Sequence, residues 1–362
     1  MGQLVHEREK IMRRKTFKGL AIGLVAVFGL AACGSDSNST DTTVAVTDTT
    51  EAPAPTGLAC QVTDSGGVDD KGFNQIAYEG LVQTESLLGV TTDLLESVTD
   101  ADYAPNIQSF VDKGCNIIIT VGFLLADATK AAAEANPDIH FAIVDSNTSA
   151  PNVEGLTFAT DQPSFMAGYL AAATTTTGTV ATFGGINIPP VTIFMQGFVK
   201  GVEYYNAQKG TSVKALGWDP VAQDGTFAGN FNNLDDGKNI AKSFADEGAD
   251  IIFPVAGPVG LGSSAYAMET AGAVTIIGVD VDMSVSNPDH ASVYIASVLK
   301  KIDAAVISAV ESALNGEGGG TDYLGTLENG GVGLAITSTI TPELQAELDA
   351  VQAGIIDGSI TW

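Results

Sequence analysis

Short apolar segments alternate with longer segments of helical character along the chain from residue 57 onward, and one such unit occurs twice. The segment SFVDKGCNII at 109–118 is echoed by SFADEGADII at 243–252. Each copy continues with an apolar strand, a glycine-bearing turn, an Ala-rich helix and a second strand, which ends in Asp145 in the first copy and Asp280 in the second. A strand, a helix and a strand in this order form the βαβ unit of a parallel sheet.

Two further apolar segments, 57–64 and 178–184, open the halves that contain these units. Each is followed by a loop and a segment of helical character, at 75–88 and 194–206. The pattern predicts an α/β fold with two doubly wound parallel-sheet lobes joined by a hinge. Because ligands of such sheets lie beyond the carboxyl ends of the strands, we expect one cleft between the lobes that closes around a ligand.

Composition excludes several classes of function. A chain of 362 residues fills two domains of ordinary size. Its net charge of -27 argues against a nucleic-acid partner, since binding phosphates requires basic patches. Three cysteines without a C-x-x-C pair offer no zinc or iron–sulfur ligand set, and we expect no metal and no cofactor.

Motifs for enzymatic chemistry are missing as well. The chain contains no phosphate-binding loop, zinc-protease motif or nucleophile elbow. His140, at the start of a strand, is typical of a structural histidine, and His290 has no nucleophile near it in the sequence. We therefore expect a protein that is not an enzyme.

The N-terminal residues are typical of an exported lipoprotein. Basic residues precede an apolar segment at 20–32 that is too short to span a bilayer, and Leu30-Ala31-Ala32-Cys33 has the pattern of a lipobox. Residues 1–33 are thus predicted to be a lipoprotein signal peptide with Cys33 as the lipidation site. Its start is either Met1 or Met12. Residues 34–56, rich in Ser, Thr, Asp and Pro, are predicted to be a disordered tether, which places the protein at the extracytoplasmic face of the cell membrane.

The other two cysteines are Cys60 and Cys115, each at or just before an apolar strand. An oxidising compartment favours a disulfide between them. Two unpaired buried thiols are the alternative, and the sequence leaves both open.

The segment 64–75, DSGGVDDKGFNQ, combines a strand end, a glycine turn and a helix start, and is expected to leave Phe73 and Asn74 in a cleft loop. Together with it, GGINIPPV at 184–191, GADIIF at 248–253, IGVDVD at 277–282 and GGVGLA at 330–335 follow in a characteristic order. In these segments the chain resembles the BMP (basic membrane protein) family of PnrA-like substrate-binding lipoproteins of ABC transporters.

The resemblance implies a type I periplasmic-binding-protein-like fold and a monomer that binds a purine nucleoside (adenosine, guanosine or inosine) in the cleft between the lobes. The nucleoside would be delivered to an ABC permease with a cytoplasmic ATPase. A sensor of a sugar or a signal molecule on the same fold is the alternative. A nucleoside-cleaving enzyme is a further alternative, but it would need a strand-end cluster of aspartates that the sequence lacks.

The resemblance also implies the site. Phe73 and Phe194 would stack on the base, Asn74 and Asp145 would bind its edge, and Asp280, Gly257 and Lys300 would bind the ribose, with Asp64 in the same ligand-binding set. Lys300, next to Lys301, is expected on an amphipathic helix. Asp282 competes with Asp280 as the sugar ligand, although the register of the repeat favours Asp280.

The predicted lobes are 57–160, together with part of 284–340, and 161–283. A C-terminal helix and tail at 341–362, with an apolar stripe, pack at a place that the sequence leaves open.

Overall fold

The computed structural model describes residues 57–147 and 149–362, which belong to one compact unit. The predicted signal peptide at 1–33 with Cys33 and the predicted tether at 34–56 lie outside the described residues. No helix among the described residues is long and apolar enough to span a membrane.

Strands and helices alternate through most of this unit. In chain order the strands are β1 Leu58–Thr63, β2 Thr91–Leu95, β3 Ile117–Val121, β4 His140–Val144, β5 Val153–Phe158, β6 Thr179–Gly184, β7 Lys214–Leu216, β8 Trp218–Asp219, β9 Asp224–Gly225, β10 Ile251–Val255, β11 Thr275–Asp280, β12 Tyr294–Lys300, β13 Asp322–Gly325 and β14 Val332–Ile336. The helices are α1 Phe73–Leu88, α2 Tyr103–Lys113, α3 Ala126–Ala135, α4 Asp161–Thr174, α5 Pro189–Lys209, α6 Leu234–Asp246, α7 Val259–Glu269, α8 Met283–Ser286, α9 Ile302–Leu314 and α10 Pro342–Ile356.

Two six-stranded sheets carry the fold. The first has the order β13-β5-β4-β3-β1-β2 and the second the order β14-β12-β11-β10-β6-β7. All pairs in these two sheets are parallel except β12 with β14. The prediction of two doubly wound α/β lobes is confirmed, and the two orders match strand for strand.

The chain passes between the two sheets three times. It leaves the first sheet after β5, returns after β12 by way of α9, and leaves again after β13. Helix α9 packs against α1 because Gly80 of α1 brings the helices so close that a Cβ atom there would lie 2.7 Å from the backbone of Asp303. Residues 302–325 therefore belong to the lobe of the first sheet, whereas β12 and β14 are strands of the second sheet.

Both copies of the sequence repeat form the same structure. In each copy a glycine with positive φ follows the helix, Gly114 directly after α2 and Gly248 two residues after α6, and the chain then enters a buried strand, β3 or β10. Glycine suits these positions because the left-handed conformation strains other residues.

Helix α10 packs on α4 and so joins the second lobe. Its buried face consists of Leu348, Val351 and Ile355. Beyond it, the ring of Trp362 stacks on Phe165 of α4 with centroids 4.6 Å apart. This is the location that the sequence left open.

Cys60 on β1 and Cys115 just before β3 form a disulfide in the structure, with Cα atoms 6.1 Å apart. Both side chains are buried beneath α2 in the first lobe. The bridge joins neighbouring strands at the centre of the first sheet.

Candidate functional site: the cleft between the lobes

A cavity lies at the carboxyl ends of the strands of both sheets. Strands β1, β3 and β4 of the first sheet contribute the residues that follow them, and β10, β11 and β12 of the second contribute residues at or just after their carboxyl ends. All eight residues of the predicted ligand-binding set line this one cavity: Asp64, Phe73, Asn74, Asp145, Phe194, Gly257, Asp280 and Lys300. Their role in ligand binding remains a prediction.

Aromatic rings from both lobes surround one ammonium group in the cavity. Lys300 Nζ lies 4.8 Å from the ring centre of Phe73, 5.3 Å from that of Phe158 and 5.8 Å from that of Phe194. Phe73 and Phe158 come from the first lobe, and Phe194 comes from α5 of the second. A cation within about 6 Å of a ring centre is attracted by the ring's negative face. Phe73 and Phe194 also supply flat apolar surfaces to the cavity lining.

Phe73 and Asn74 are the first two residues of α1, so the expectation that they lie in a loop is wrong. The reason is Asp70. Its carboxylate accepts hydrogen bonds from the backbone N–H groups of Gly72, Asn74 and Gln75 at 2.9, 2.8 and 3.1 Å, and these satisfy donors that a helix N-terminus leaves free. The helix therefore begins early and holds both side chains at the cavity.

The side-chain amide of Asn74 lies between two carboxylates. Its Nδ2 donates to Asp64 Oδ1 at 2.9 Å and to Asp70 Oδ2 at 3.3 Å. Its Oδ1 is buried, and no described residue donates a hydrogen bond to it. A buried polar atom without a partner carries a desolvation cost that a ligand can relieve by donating to it.

Lys300 and Asp145 form the ion pair of the cleft. Lys300 Nζ donates to Asp145 Oδ2 at 2.6 Å, and both side chains are nearly inaccessible to solvent. Asp145 follows β4 of the first sheet and Lys300 ends β12 of the second, so the pair connects the lobes. Burial raises the pKa of Asp145 although Lys300 opposes the effect.

The expectation that Lys300 lies on a helix is wrong. It is the last residue of β12, only 2% exposed, and α9 begins two residues later. A buried ammonium needs a partner, which the sequence supplies from the distant Asp145.

Asp280 is buried without such a pairing. No group among the described residues donates a hydrogen bond to its carboxylate, and burial raises its pKa to about 7. Asp282, the competing candidate, does not line the cavity. Its carboxylate instead caps α8, accepting hydrogen bonds from the backbone N and Oγ of Ser284 at 3.0 and 2.6 Å. Of the two aspartates, only Asp280 therefore faces the cavity.

Asp64 resembles Asp280 in its electrostatics. Burial raises its pKa to about 7, with a further increase from Asp70 and Asp145, against the opposing effects of Asn74 and Lys300. Gly122 lies against this carboxylate, because a Cβ atom on it would be 2.6 Å from Asp64 Oδ2. The cavity thus holds two carboxyl groups that change charge near neutral pH.

Several lining residues are not among the predicted ones. Asp70 is the most informative, since it fixes both the start of α1 and the orientation of Asn74. The acidic pair that contains it, three to four residues before the helix start, is the signal that could have identified it. Most of the other additions are apolar and carry no sequence signal of their own, among them Phe123, Leu124, Ile188, Pro190, Val191 and Phe231.

His140 and His290, the two histidines among the described residues, do not line the cavity. His140 Nδ1 lies 2.7 Å from the carbonyl oxygen of Gly318, as suits a structural role. His290 has a hydroxyl group beside it after all, because Ser264 Oγ lies 2.8 Å from its Nδ1. Ser264 is far from it in sequence, and this explains why sequence reasoning missed the contact. The described residues contain no cluster of three or more side chains that could hold a metal ion.

Two similar α/β lobes with a polar cleft at their strand ends define a periplasmic-binding protein of the type I fold. The chain belongs to the Bmp family, described as ABC transporter substrate-binding protein PnrA-like, whose model matches residues 58–361. It is therefore an ABC transporter substrate-binding protein, a class that acts outside the cytoplasm and is not a class of enzymes.

Two named relatives agree with this assignment, and a solved structure agrees with the fold. The chain is 32% identical over 368 residues to the ABC transporter nucleoside-binding protein BmpA of Lactococcus lactis, covering 97% of this chain and 99% of the relative. It is 31% identical to basic membrane protein A of Borreliella burgdorferi, covering 82% and 84%. A solute-binding protein of an Aeropyrum pernix ABC transporter has the same fold, with a TM-score of 0.73, 24% identity and coverage of 84% and 92%.

Proposed function

We propose that this substrate-binding protein captures a purine nucleoside (adenosine, guanosine or inosine) in the cleft and delivers it to an ABC permease driven by a separate cytoplasmic ATPase. The observation that carries the proposal is the pair of rings, Phe73 and Phe194, placed by opposite lobes around one cavity with polar groups beyond them. Stacking between an aromatic ring and a base contributes about 1–3 kcal/mol and tolerates any purine.

The polar groups of the cavity lining can serve both the base and the ribose of a nucleoside. Asn74 and Asp64 form one set, with hydrogen-bond acceptors for donors on the edge of a base. Asp280 and Gly257 form the other, in which a carboxylate without a partner can accept from ribose hydroxyls. The name of the Lactococcus relative, a nucleoside-binding protein, supports the same ligand class.

Isothermal titration calorimetry of the purified protein with nucleosides, nucleobases and ribose tests this proposal. We expect purine nucleosides to bind, Phe73→Leu to weaken them by about 1–3 kcal/mol, and Phe73→Tyr, which keeps the ring, to retain most of the affinity. Binding of ribose or another sugar alone would refute the nucleoside and favour the sugar-sensor alternative.

We extend the proposal to the membrane anchor. Its support is the lipobox that ends at Cys33 and the polar segment at 34–56, both outside the described residues. A lipid on Cys33 would keep the binding lobes near the permease. We expect the wild type to fractionate with membranes and Cys33→Ala to be lost from them, while nucleoside affinity stays the same. Membrane association that persists in Cys33→Ala would contradict the anchor.

A further inference from the structure

The orientation of the Asn74 amide is determined by its neighbours. Both hydrogens of Nδ2 are directed at carboxylates, of Asp64 on one side and Asp70 on the other. Turning the amide over would place Oδ1 against two carboxylate oxygens, and Asp70 is itself held by three backbone N–H groups. Asn74 therefore offers a ligand only an acceptor, the buried and unpartnered Oδ1.

Asp64, next to Asn74, is the second polar group of this part of the cavity lining. Its Oδ1 accepts from Asn74, which leaves Oδ2, beside Gly122, for a ligand. When Asp64 is ionised, Oδ2 is an acceptor, and the pair presents two acceptors. When Asp64 carries a proton, Oδ2 can donate, and the pair presents one donor and one acceptor. The Ser65 hydroxyl, which also lines the cavity, can do either and so does not discriminate.

Purine bases differ in the pattern of hydrogen-bond donors and acceptors that they would present to Asp64 and Asn74. Guanine has two neighbouring donors, N1–H and the N2 amino group, and hypoxanthine has the N1–H donor alone. Adenine has the N6 amino donor next to N1, which is an acceptor. Two acceptors match guanine, whereas one donor and one acceptor match adenine, and a buried acceptor facing an acceptor is strongly disfavoured.

We propose that Asp64 and Asn74 select among purine nucleosides, and that the proton on Asp64 decides the choice: the ionised form takes guanosine and, less well, inosine, and the protonated form takes adenosine. This inference rests on the nucleoside function proposed above. Asp70 acts as a positioning residue, because it holds Asn74 in the orientation on which the selection depends.

Several groups on different elements face Asp64. Asp70 and Asp145 disfavour its charge, Lys300 and Asn74 favour it, and Tyr103 of α2 lies within electrostatic range. Together with burial they raise the pKa of Asp64 to about 7. Both forms of Asp64 are therefore populated near neutral pH, where the selection would operate.

The test is the ratio of the adenosine and guanosine dissociation constants, measured by calorimetry between about pH 5.5 and 8.5. Both nucleosides have the same ribose, so the titration of Asp280 affects both alike and cancels in the ratio. As pH rises, the affinity for guanosine relative to that for adenosine should increase, by up to about tenfold per pH unit. In Asp64→Asn the ratio should become independent of pH. In the matched variant Asp280→Asn both nucleosides should bind more weakly, and the ratio should keep its pH dependence.

A nucleoside analogue keeps the inference testable if the Asp64→Asn protein does not fold. 1-Deazaadenosine has the same ribose but no N1 acceptor, so in the wild type adenosine should lose affinity relative to 1-deazaadenosine as pH rises. Nucleosides that bind with a ratio independent of pH in the wild type would overturn the selection by Asp64 and leave the proposed function intact. Failure of every nucleoside to bind at any pH would overturn both.

Discussion

Asp280→Asn should stabilise the ligand-free protein at alkaline pH while it weakens nucleoside binding. The Asp280 side chain is 7% exposed, and no described residue donates a hydrogen bond to its carboxylate. Asn has nearly the same size and is tolerated at the residue's φ of 68°. The substitution thus removes an uncompensated buried charge with little change of shape.

The pKa shift of Asp280 determines the size of the expected change in the free energy of unfolding. The pKa of Asp280 rises from 3.8 to about 7 in the folded protein because burial disfavours the charge. The folded state therefore binds this proton more tightly than the unfolded state, and stability falls as pH rises between these two values. The full difference corresponds to about 4 kcal/mol above pH 7 and to nothing below about pH 4. Asp280→Asn should recover most of it at alkaline pH.

Urea denaturation at several pH values between about 4 and 8.5 measures this effect. The advantage of Asp280→Asn over the wild type should be small at the acid end and grow to several kcal/mol at the alkaline end. Asp282→Asn is the matched control, since that carboxylate already caps α8 and Asn is an equally good cap. We expect it to change stability by less than about 1 kcal/mol at every pH. An advantage of Asp280→Asn that stays constant with pH, or a loss of stability at pH 8.5, would refute the reasoning.

Two further substitutions test the remaining parts of the structure. Lys300→Met should destabilise the protein by about 3–5 kcal/mol, measured by urea denaturation, because it leaves the buried carboxylate of Asp145 without its partner. The double variant Lys300→Met/Asp145→Asn should recover part of that loss, and no recovery would contradict the pairing. Replacing Cys60 and Cys115 by Ser should cost about 2–5 kcal/mol. Equal stability of the wild type with and without a reductant would contradict the disulfide.

The convergence of the site residues could be predicted from the sequence because the repeat revealed the order of the strands. Once 109–118 and 243–252 are assigned to equivalent helix–strand units, Asp145 and Asp280 follow at equivalent strand ends. Parallel strands bring their carboxyl ends to one edge, and two such edges form one cleft. The eight residues lie along one cavity for this topological reason.

What the sequence could not show depends on contacts between distant residues. Lys300 has the local surroundings of a helix, with a second lysine and apolar neighbours, but its partner Asp145 lies in the other lobe and makes burial in a strand possible. Helix α1 begins at Phe73, two residues earlier than predicted, because the Asp70 carboxylate accepts hydrogen bonds from the backbone N–H groups at that end. Helix boundaries of this kind follow from side-chain geometry rather than from periodicity.

The polarity of the cleft arises from one difference between two otherwise equivalent lobes. Asp145 and Asp280 occupy the same position in the repeat and have the same φ of 68°. The next strand of the first lobe, β5, ends in Phe158, whereas its counterpart β12 ends in Lys300. A single ammonium is thus available to two equivalent aspartates, and it pairs with Asp145. Asp280 is left without a cationic partner, so its carboxylate stays available to accept hydrogen bonds from the hydroxyl groups of a ligand.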